Sequence, residues 1–392
     1  MIRTVLASAL AMGVSISAAL AAEVKVGFVT TLTTPAAVIG NDMKDAVDLA
    51  VEDLGGKMGD LDLKVIYEDD GFKPEIGKQK TDKLVDQDDV DFVAGYIWSN
   101  VLLASARSVL DAGKILISAN AGPHQLAGAD CHENFFSISW QNDQTPQAMG
   151  EVLNQLGIKS LYLMGPNYAA GKDMLAGVES TFKGEIKGKD LTTWPDQLDF
   201  SAELAKAKAS GAEALFVFYP GRAGNAFVTQ YQQAGLNESL PLYTTYVMDS
   251  LSLPVFQDAG MSDVLGSKLT LFWSPDLDTP QNKQFVTNFK KKYNRYPSFY
   301  AAQSYDAMFY IKSAVEAVNG DLSDIDGLRA ALEAADFPSV RGEFKIGPNH
   351  FPIQNFYLQE VAEDDEGVWT TKIVSTVFEM NQDSHAKDCQ MN

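Results

Sequence analysis

The chain has 392 residues, of which 46% are apolar and 21% charged, and it carries a formal net charge of −21. That is the composition of a globular protein with room for two separately cored domains. The acidity argues against a nucleic-acid partner or an anionic membrane surface, since either needs a basic face.

The N-terminus reads apart from the rest. Met1-Ile2-Arg3 is a short basic start, Val5–Ala21 is apolar and small, and Ala19-Leu20-Ala21 fits a small-x-small cleavage site. Residues 1–22 are therefore expected to be a cleaved secretory signal peptide. No later run approaches the roughly 20 apolar residues that a membrane span needs. Two cysteines, Cys131 and Cys389, would meet an oxidising compartment after export. A single disulfide is expected, pinning the C-terminal tail to the loop before Phe135.

Val24–Thr31 has the pattern of a short buried strand, followed by a loop rich in Thr and Ala. Asn41 stands where it could cap a helix in which Met43, Ala46, Val47, Ala50, Val51 and Leu54 recur on one face. Leu61–Tyr67 reads as the next strand, and Pro74 opens a helix to about Val85. Asp91–Gly95 is a third strand. A turn at Tyr96–Asn100 leads into a helix with Val101, Leu102, Ser105, Val109 and Ala112 on one side. Ile115–Ile117 is a fourth strand, ending in a small polar turn, Ser118–Gly122. This alternation predicts a doubly wound parallel sheet, whose ligands bind at the carboxyl ends of the strands. Ser99 and Asn100 are good N-cap types, so free backbone N–H groups are expected at that turn. With the helix dipole they would hold an anion without a cationic side chain. The expectation is that the carboxylate of a small molecule sits there.

Asn134–Trp140 breaks into Gln141-Asn142-Asp143, a candidate crossover. A second cycle follows, with strands at Ser160–Gly165, Lys187–Thr193, Ala214–Tyr219 and Leu240–Thr244, separated by helices. Leu269–Trp273, then Ser274-Pro275-Asp276, looks like another crossover. Helices are expected near Pro280–Tyr293, Ser298–Val318 and Asp324–Ala334, and a closing hairpin over Phe351–Glu360 and Thr370–Phe378. Two similar α/β lobes fit this better than one large sheet.

Motifs for catalysis and cofactors fall short. Gly165–Lys172 resembles a phosphate loop, but five residues separate its glycines and Asp173 replaces the magnesium-holding hydroxyl. Glu68-Asp69-Asp70 lacks calcium-loop spacing. His124, Cys131 and His132 lack zinc spacing. There is no G-x-S-x-G and no H-E-x-x-H. No enzyme activity, metal or cofactor is expected. Aromatic residues instead recur at the ends of predicted strands and at a helix start: Tyr96, Trp98, Tyr168, Tyr219, Tyr246, Phe299 and Tyr300. Such residues suit a pocket that is mostly apolar with a few placed polar groups.

Across nearly the whole chain after the leader, the sequence resembles the periplasmic solute-binding proteins of branched-chain amino acid (Leu/Ile/Val-binding) ABC importers. The pieces that carry the resemblance are V-K-V-G-F-V-T-T at Val24–Thr31, G-x-x-x-x-D-A-V-D-L-A-V-E-D-L at Gly40–Leu54 and Y-E-D-D at Tyr67–Asp70. The stretch Gly95–Gly122 belongs with them. Further along stand Q-L-D-F-S-A-E-L at Gln197–Leu204, F-V-F-Y-P-G at Phe216–Gly221 and Q-Y-Q-Q-A-G-L at Gln230–Leu236. P-S-F-Y-A-A-Q-S-Y-D-A at Pro297–Ala307 and V-R-G-E-F at Val340–Phe344 complete the order.

The resemblance implies a type I periplasmic-binding-protein fold, two doubly wound α/β lobes joined by three crossovers near Gln141, Pro275 and Asn349–Ile353. Lobe 1 would span 23–141 plus 275–350, and lobe 2 142–274 plus 351–392. It also implies a periplasmic monomer that hands a small carboxylate to an inner-membrane ABC permease. Ser99 and Asn120, Ala121 and Gly122 would hold the carboxylate, with Tyr168 and Tyr219 covering the ligand. Amino-acid binders of this type place an acid on the ligand ammonium. Here the matching position is Tyr246 or Val247, and Asp249 comes two or three residues late. The ligand is left open between an aliphatic amino acid and an aromatic acid. A ligand-sensing receptor domain of the same fold is the alternative function; a secreted enzyme would need a catalytic dyad that does not assemble.

Overall fold

The computed structural model describes residues 23–391; the expected leader, 1–22, lies outside them. Strands β1 (Glu23–Thr30), β2 (Lys57–Met58), β3 (Leu61–Asp69), β4 (Phe92–Gly95), β5 (Ile115–Ser118) and β6 (Phe135–Ser137) form one sheet in the order β2-β3-β1-β4-β5-β6. All its pairings are parallel except the short β2 against β3. Helices α1 (Ala37–Asp53), α2 (Pro74–Asp86), α3 (Ser99–Leu110) and α4 (His124–Ala127) connect these strands. The second sheet takes β7 (Ser160–Pro166), β8 (Glu185–Thr192), β9 (Ala214–Val217), β10 (Leu242–Thr244), β11 (Lys268–Leu271), β12 (Lys345–Ile346), β13 (Pro352–Glu363) and β14 (Trp369–Asn381). Its order is β12-β13-β11-β10-β9-β7-β8, with β14 paired to β13 as the expected hairpin. Helices α5 (Gln144–Gln155), α6 (Ala169–Thr181), α7 (Ser201–Ala209), α8 (Arg222–Gln233) and α9 (Leu253–Asp258) belong with it. Helices α10 (Pro280–Tyr293), α11 (Phe299–Ala317) and α12 (Ile325–Ala334) return to the first lobe, where α11 lies along α1.

The central strands were legible because they are buried on both faces. All four residues of β4, β5 and β9 are buried, so these strands read as unbroken apolar runs, the mark of a parallel sheet covered by helices. Helix α10 starts where its sequence says it should. Pro280 sits in its first turn, the Thr279 side chain accepts from the Asn282 N–H at 3.1 Å, and Asn294 ends it in the left-handed region with φ 55°. The start of α1 differs from expectation: Asn41 lies inside it. Thr34, at φ 71°, turns the chain, and the helix begins at Ala37 without a side-chain cap.

In each sheet the strand order reverses once, at β1/β4 in the first and at β7/β9 in the second. Loops leaving the carboxyl ends at a reversal splay apart and open a crevice, and here the two crevices face each other. The chain passes between the sheets through segments 138–143, 272–279 and 335–344. Arg341, in the last of these, is bonded to the first, to α11 and to β13: its Nε donates to Asp306 Oδ2 at 3.0 Å, and its Nη1 to Ser139 O at 3.3 Å and Gln354 Oε1 at 3.0 Å. Both members of the Arg341–Asp306 pair are buried. Cys131 and Cys389 form the expected disulfide, with Cα atoms 5.6 Å apart. The tail that carries Cys389 follows β14 and returns to the first lobe, where Asp388 and His385 lie near Gly128. No helix among the described residues is long and apolar enough to cross a membrane.

Candidate functional site

Strand β4 delivers the first wall. Gly95, at φ 111°, closes the strand where a Cβ would lie 2.2 Å from Val29 O, so no other residue fits. Tyr96 then takes φ 65°, a conformation that costs a non-glycine residue energy and recurs at ligand sites. The reversal places Trp98, not Ser99 or Asn100, at the cap of α3. Ser99 and Asn100 are its first two helical residues, and their N–H groups have no acceptor among the described residues. The free donors at this helix start are therefore the N–H groups of N1 and N2, with no side-chain cap beside them. Ser99 Oγ accepts from Asn142 Nδ2 at 3.1 Å, which leaves its own proton to donate outward. Asn142 Nδ2 also donates to Asp173 Oδ2 at 2.9 Å, and Asp173 Oδ1 meets His124 Nδ1 at 2.7 Å. This chain joins α3, the first crossover, α6 and α4, and so spans both lobes. Burial pushes the Asp173 carboxyl up, against the opposing pull of Asn142 and His124.

The second lobe supplies Tyr168 after β7, Phe218 and Pro220 after β9, and Tyr246 after β10. The start of α11 adds Tyr300, and the first crossover adds Trp140. Together with Trp98, Ser99, Asn120 and Ala121 they enclose an inner chamber of about 20 Å³, room for roughly one water. Tyr246 stacks on Trp140 with ring centroids 4.7 Å apart. Burial pushes the Tyr168 and Tyr300 phenols far up, so both stay protonated as donors. Neither hydroxyl has a protein partner among the described residues. At the chamber's outer edge four rings meet across the lobes. Trp98 stacks on Phe72 at 4.1 Å, Tyr168 stacks on Trp194 at 5.2 Å, and the two pairs touch through Trp194 and Phe72 at 5.5 Å.

Seven of the expected site residues thus converge: Trp98, Ser99, Asn120, Ala121, Tyr168, Tyr246 and Tyr300. Four do not. The Tyr96 hydroxyl turns to Thr81 Oγ1 on α2, at 2.7 Å. The Tyr219 hydroxyl accepts from Thr192 at 3.1 Å and its ring packs on Phe200 and Phe227, inside the second lobe. Alternation beyond β9 sends Phe218 and Pro220 to the chamber and Tyr219 to the opposite side. Gly122 gives its N–H to Asn142 Oδ1 at 3.2 Å and packs where a Cβ would lie 2.0 Å from Trp140 O. Ala121 N–H bonds Tyr96 O at 3.0 Å. The second strand end therefore offers little to an anion beyond the Asn120 N–H. Asp249 Oδ1 accepts from the Leu251 and Ser252 N–H groups at 2.9 and 3.0 Å, capping the turn before α9. No Asp or Glu is among the residues that line the inner chamber. Trp140, Asn142, Phe72 and Trp194 were missed, although Phe72 and Trp194 stand three and two residues beyond the ends of β3 and β8, as Trp98 stands three beyond β4.

The cap on Asp249 has a pH signature. Burial pushes its pKa up to about 6, with hydrogen bonds from Leu251 and Ser252 opposing. A carboxyl raised in the fold stabilises fully below its unfolded value, 3.8, and that contribution is lost as pH rises through about 6. Asp249→Asn stays neutral, so its stability relative to the parent will rise between about pH 4 and 6, by about 3 kcal/mol in all, then level off. Urea unfolding of both proteins at several pH values checks this; a flat difference across that window defeats it.

The profile of the family described as periplasmic binding protein matches residues 23–366. The chain belongs to that family. It is 28% identical over 382 residues to Leu/Ile/Val-binding protein homolog 6 of Brucella abortus (strain 2308), covering 95% of each chain. Among solved structures it resembles an ABC-transporter solute-binding protein from R. palustris in complex with benzoate. The identity is 28%, the TM-score 0.87, and the match covers 94% of this chain and 100% of that one. A second, from Rhodopseudomonas palustris BisB5 in complex with 3,4-dihydroxybenzoic acid, is 26% identical with a TM-score of 0.86, covering 92% and 99%. This is a solute-binding protein of the ABC importer type, with the type I fold. The family is one of transport components, and it implies a small-molecule ligand and an ABC permease as partners. At about 20 Å³ the inner chamber has no room for a ring without movement of its walls.

Proposed function

We propose that this protein is a periplasmic monomer that captures an aryl carboxylate between its lobes and delivers it to an inner-membrane permease. The observation that carries the reading is the inner chamber's lining: aromatic walls, donors at the start of α3, and no carboxylate. An amino acid would bury its ammonium there without an anionic partner, at a cost of several kcal/mol. An aryl acid needs only the donors and the walls. The Ser99 hydroxyl and the Ser99 and Asn100 N–H groups take its carboxylate, and Trp98, Tyr168, Tyr246 and Tyr300 enclose its ring. The benzoates held by two similar proteins support the same class. The expected leader and the disulfide support export.

Calorimetry with benzoate, 4-hydroxybenzoate, leucine, isoleucine and valine tests this. Benzoates are expected to bind and the amino acids not; at 100 times its Kd a true ligand adds about 2.7 kcal/mol to stability. Ser99→Ala is expected to weaken the best aryl acid by about 1.5–3 kcal/mol, the scale of a hydrogen bond to a charged group. Tighter binding of any aliphatic amino acid than of every aryl acid overturns the reading.

A further inference from the structure

Two histidines and four carboxylates meet where the C-terminal tail crosses from the second lobe to the first. The tail leaves β14, in the second sheet, and Cys389 joins it to Cys131, between α4 and β6 of the first. It is thus a further connection between the lobes beside the three crossing segments. Asp383 fixes it on the way. Its Oδ2 accepts from Asn349 Nδ2 at 2.7 Å, and the same amide donates to Ala127 O on α4 at 2.8 Å. Its Oδ1 accepts the His385 N–H at 2.9 Å.

Held in this way against α4, His385 reaches into the second lobe, where its Nε2 lies 2.9 Å from Asp143 Oδ2 at the start of α5. A second bridge runs beside it. His124, on α4, places Nδ1 2.7 Å from Oδ1 of Asp173, on α6. The two imidazole rings are neighbours, with centroids 5.6 Å apart. The fourth carboxylate, Asp388, comes within 4.0 Å of His385 Nδ1. Asp143, Asp173 and Asp383 are buried, His385 is half-buried, and His124 and Asp388 are exposed. Among the described residues no lysine or arginine pairs with any of these carboxylates. Their counter-charges are the two imidazoles, and only when these carry a proton. Asp143 Oδ1 is moreover buried without a hydrogen-bond partner, so a neutral His385 leaves that carboxylate poorly compensated. The second bridge also touches the site, since Asp173 Oδ2 accepts from the Asn142 amide that donates to Ser99.

We infer that His124 and His385 are a pH-sensitive latch between the lobes. Protonated, they hold α6 and the start of α5 against α4 and the tail; neutral, they release them, and the lobes separate about the crossing segments. The latch works the same way for any solute, so it does not rest on the aryl-carboxylate reading. The sign follows from the contacts. The hydrogen bond to Asp143 and its charge push the His385 imidazole up, with burial opposing. A histidine raised in the bridged state stabilises that state fully below its ordinary value, 6.5, and the contribution is lost as pH rises through the raised value. Burial pushes the Asp173 and Asp383 carboxyls up as well. A response from these would survive removal of the histidines, which tells the two apart.

The test is small-angle scattering from the ligand-free exported chain at steps from about pH 6 to 8.5, the span in which histidine changes charge. The radius of gyration is expected to increase with pH, with a midpoint above 6.5. In His124→Gln combined with His385→Gln it is expected to stay at the larger value throughout. In His124→Lys combined with His385→Lys, where the charge does not titrate in this span, it is expected to stay at the smaller one. A radius that does not change with pH in the parent overturns the inference. So does a pH response that persists in the glutamine variant, or a lysine variant that follows the parent's curve. None of these results bears on which solute is bound.

Discussion

Reduction of the Cys131–Cys389 bond will lower the unfolding free energy by roughly 5 kcal/mol. The bond closes a loop with a sequence separation of 258 residues, and a cross-link over so long a loop removes much of the unfolded chain's freedom. The folded tail keeps other anchors: Asn349 Nδ2 donates to Asp383 at 2.7 Å, and His385 Nε2 meets Asp143 at 2.9 Å. The native fold should therefore survive reduction, with the loss arising in the unfolded state. Urea unfolding with and without reductant measures it, and the m-value should rise on reduction because the freed chain exposes more surface. A difference below about 1 kcal/mol would place the bond's effect outside the loop-entropy account.

Arg341→Met will cost about 3–5 kcal/mol, the scale for stranding one member of a buried ion pair. Asp306 has no exposed surface, and burial pushes its carboxyl up while the Arg341 charge and the Ser339 hydroxyl hold it down. Without the guanidinium, Asp306 keeps only Ser339 Oγ at 2.7 Å and the Val340 N–H at 2.9 Å. The same substitution frees Ser139 O and Gln354 of a partner each, so it loosens the first and third crossovers together. Asp306→Asn combined with Arg341→Met should recover part of the loss, because the stranded charge is gone and the Val340 N–H keeps an acceptor. Chemical denaturation of the two single variants and the double variant gives the coupling directly. Equal stability for Arg341→Met and the parent would mean that stranding Asp306 costs nothing and would defeat this prediction.

Most of the architecture was legible because the signals are local. Burial on both faces marks β4, β5 and β9 as unbroken apolar runs. Proline in the first turn and a Thr cap mark α10 to the residue. The short β2, α4 and α9 carried no such signal, being too brief for a period to register. In the site, Trp98, Ser99 and Tyr168 were readable as residues that follow strands. Phe72 and Trp194 also follow strands, β3 and β8, but their stacking on Trp98 and Tyr168 appears only in the folded chain.

Apolar periodicity, cysteine parity and the order of motifs were enough to establish an α/β fold with two sheets and a disulfide. What the folded chain alone decided is which side of each turn faces inward. Alternation along a strand is set by the pleat, but it is lost where the backbone leaves the sheet, as at Tyr96 and Tyr246 with φ 65° and 58°. Beyond β9 the alternation persists, and it puts Tyr219 in the second lobe and Pro220 at the chamber. Whether Asp249 meets a ligand or its own turn depends likewise on backbone N–H groups two and three residues on. Its carboxylate is held by those N–H groups, and Asp249 is not among the residues that line the chamber.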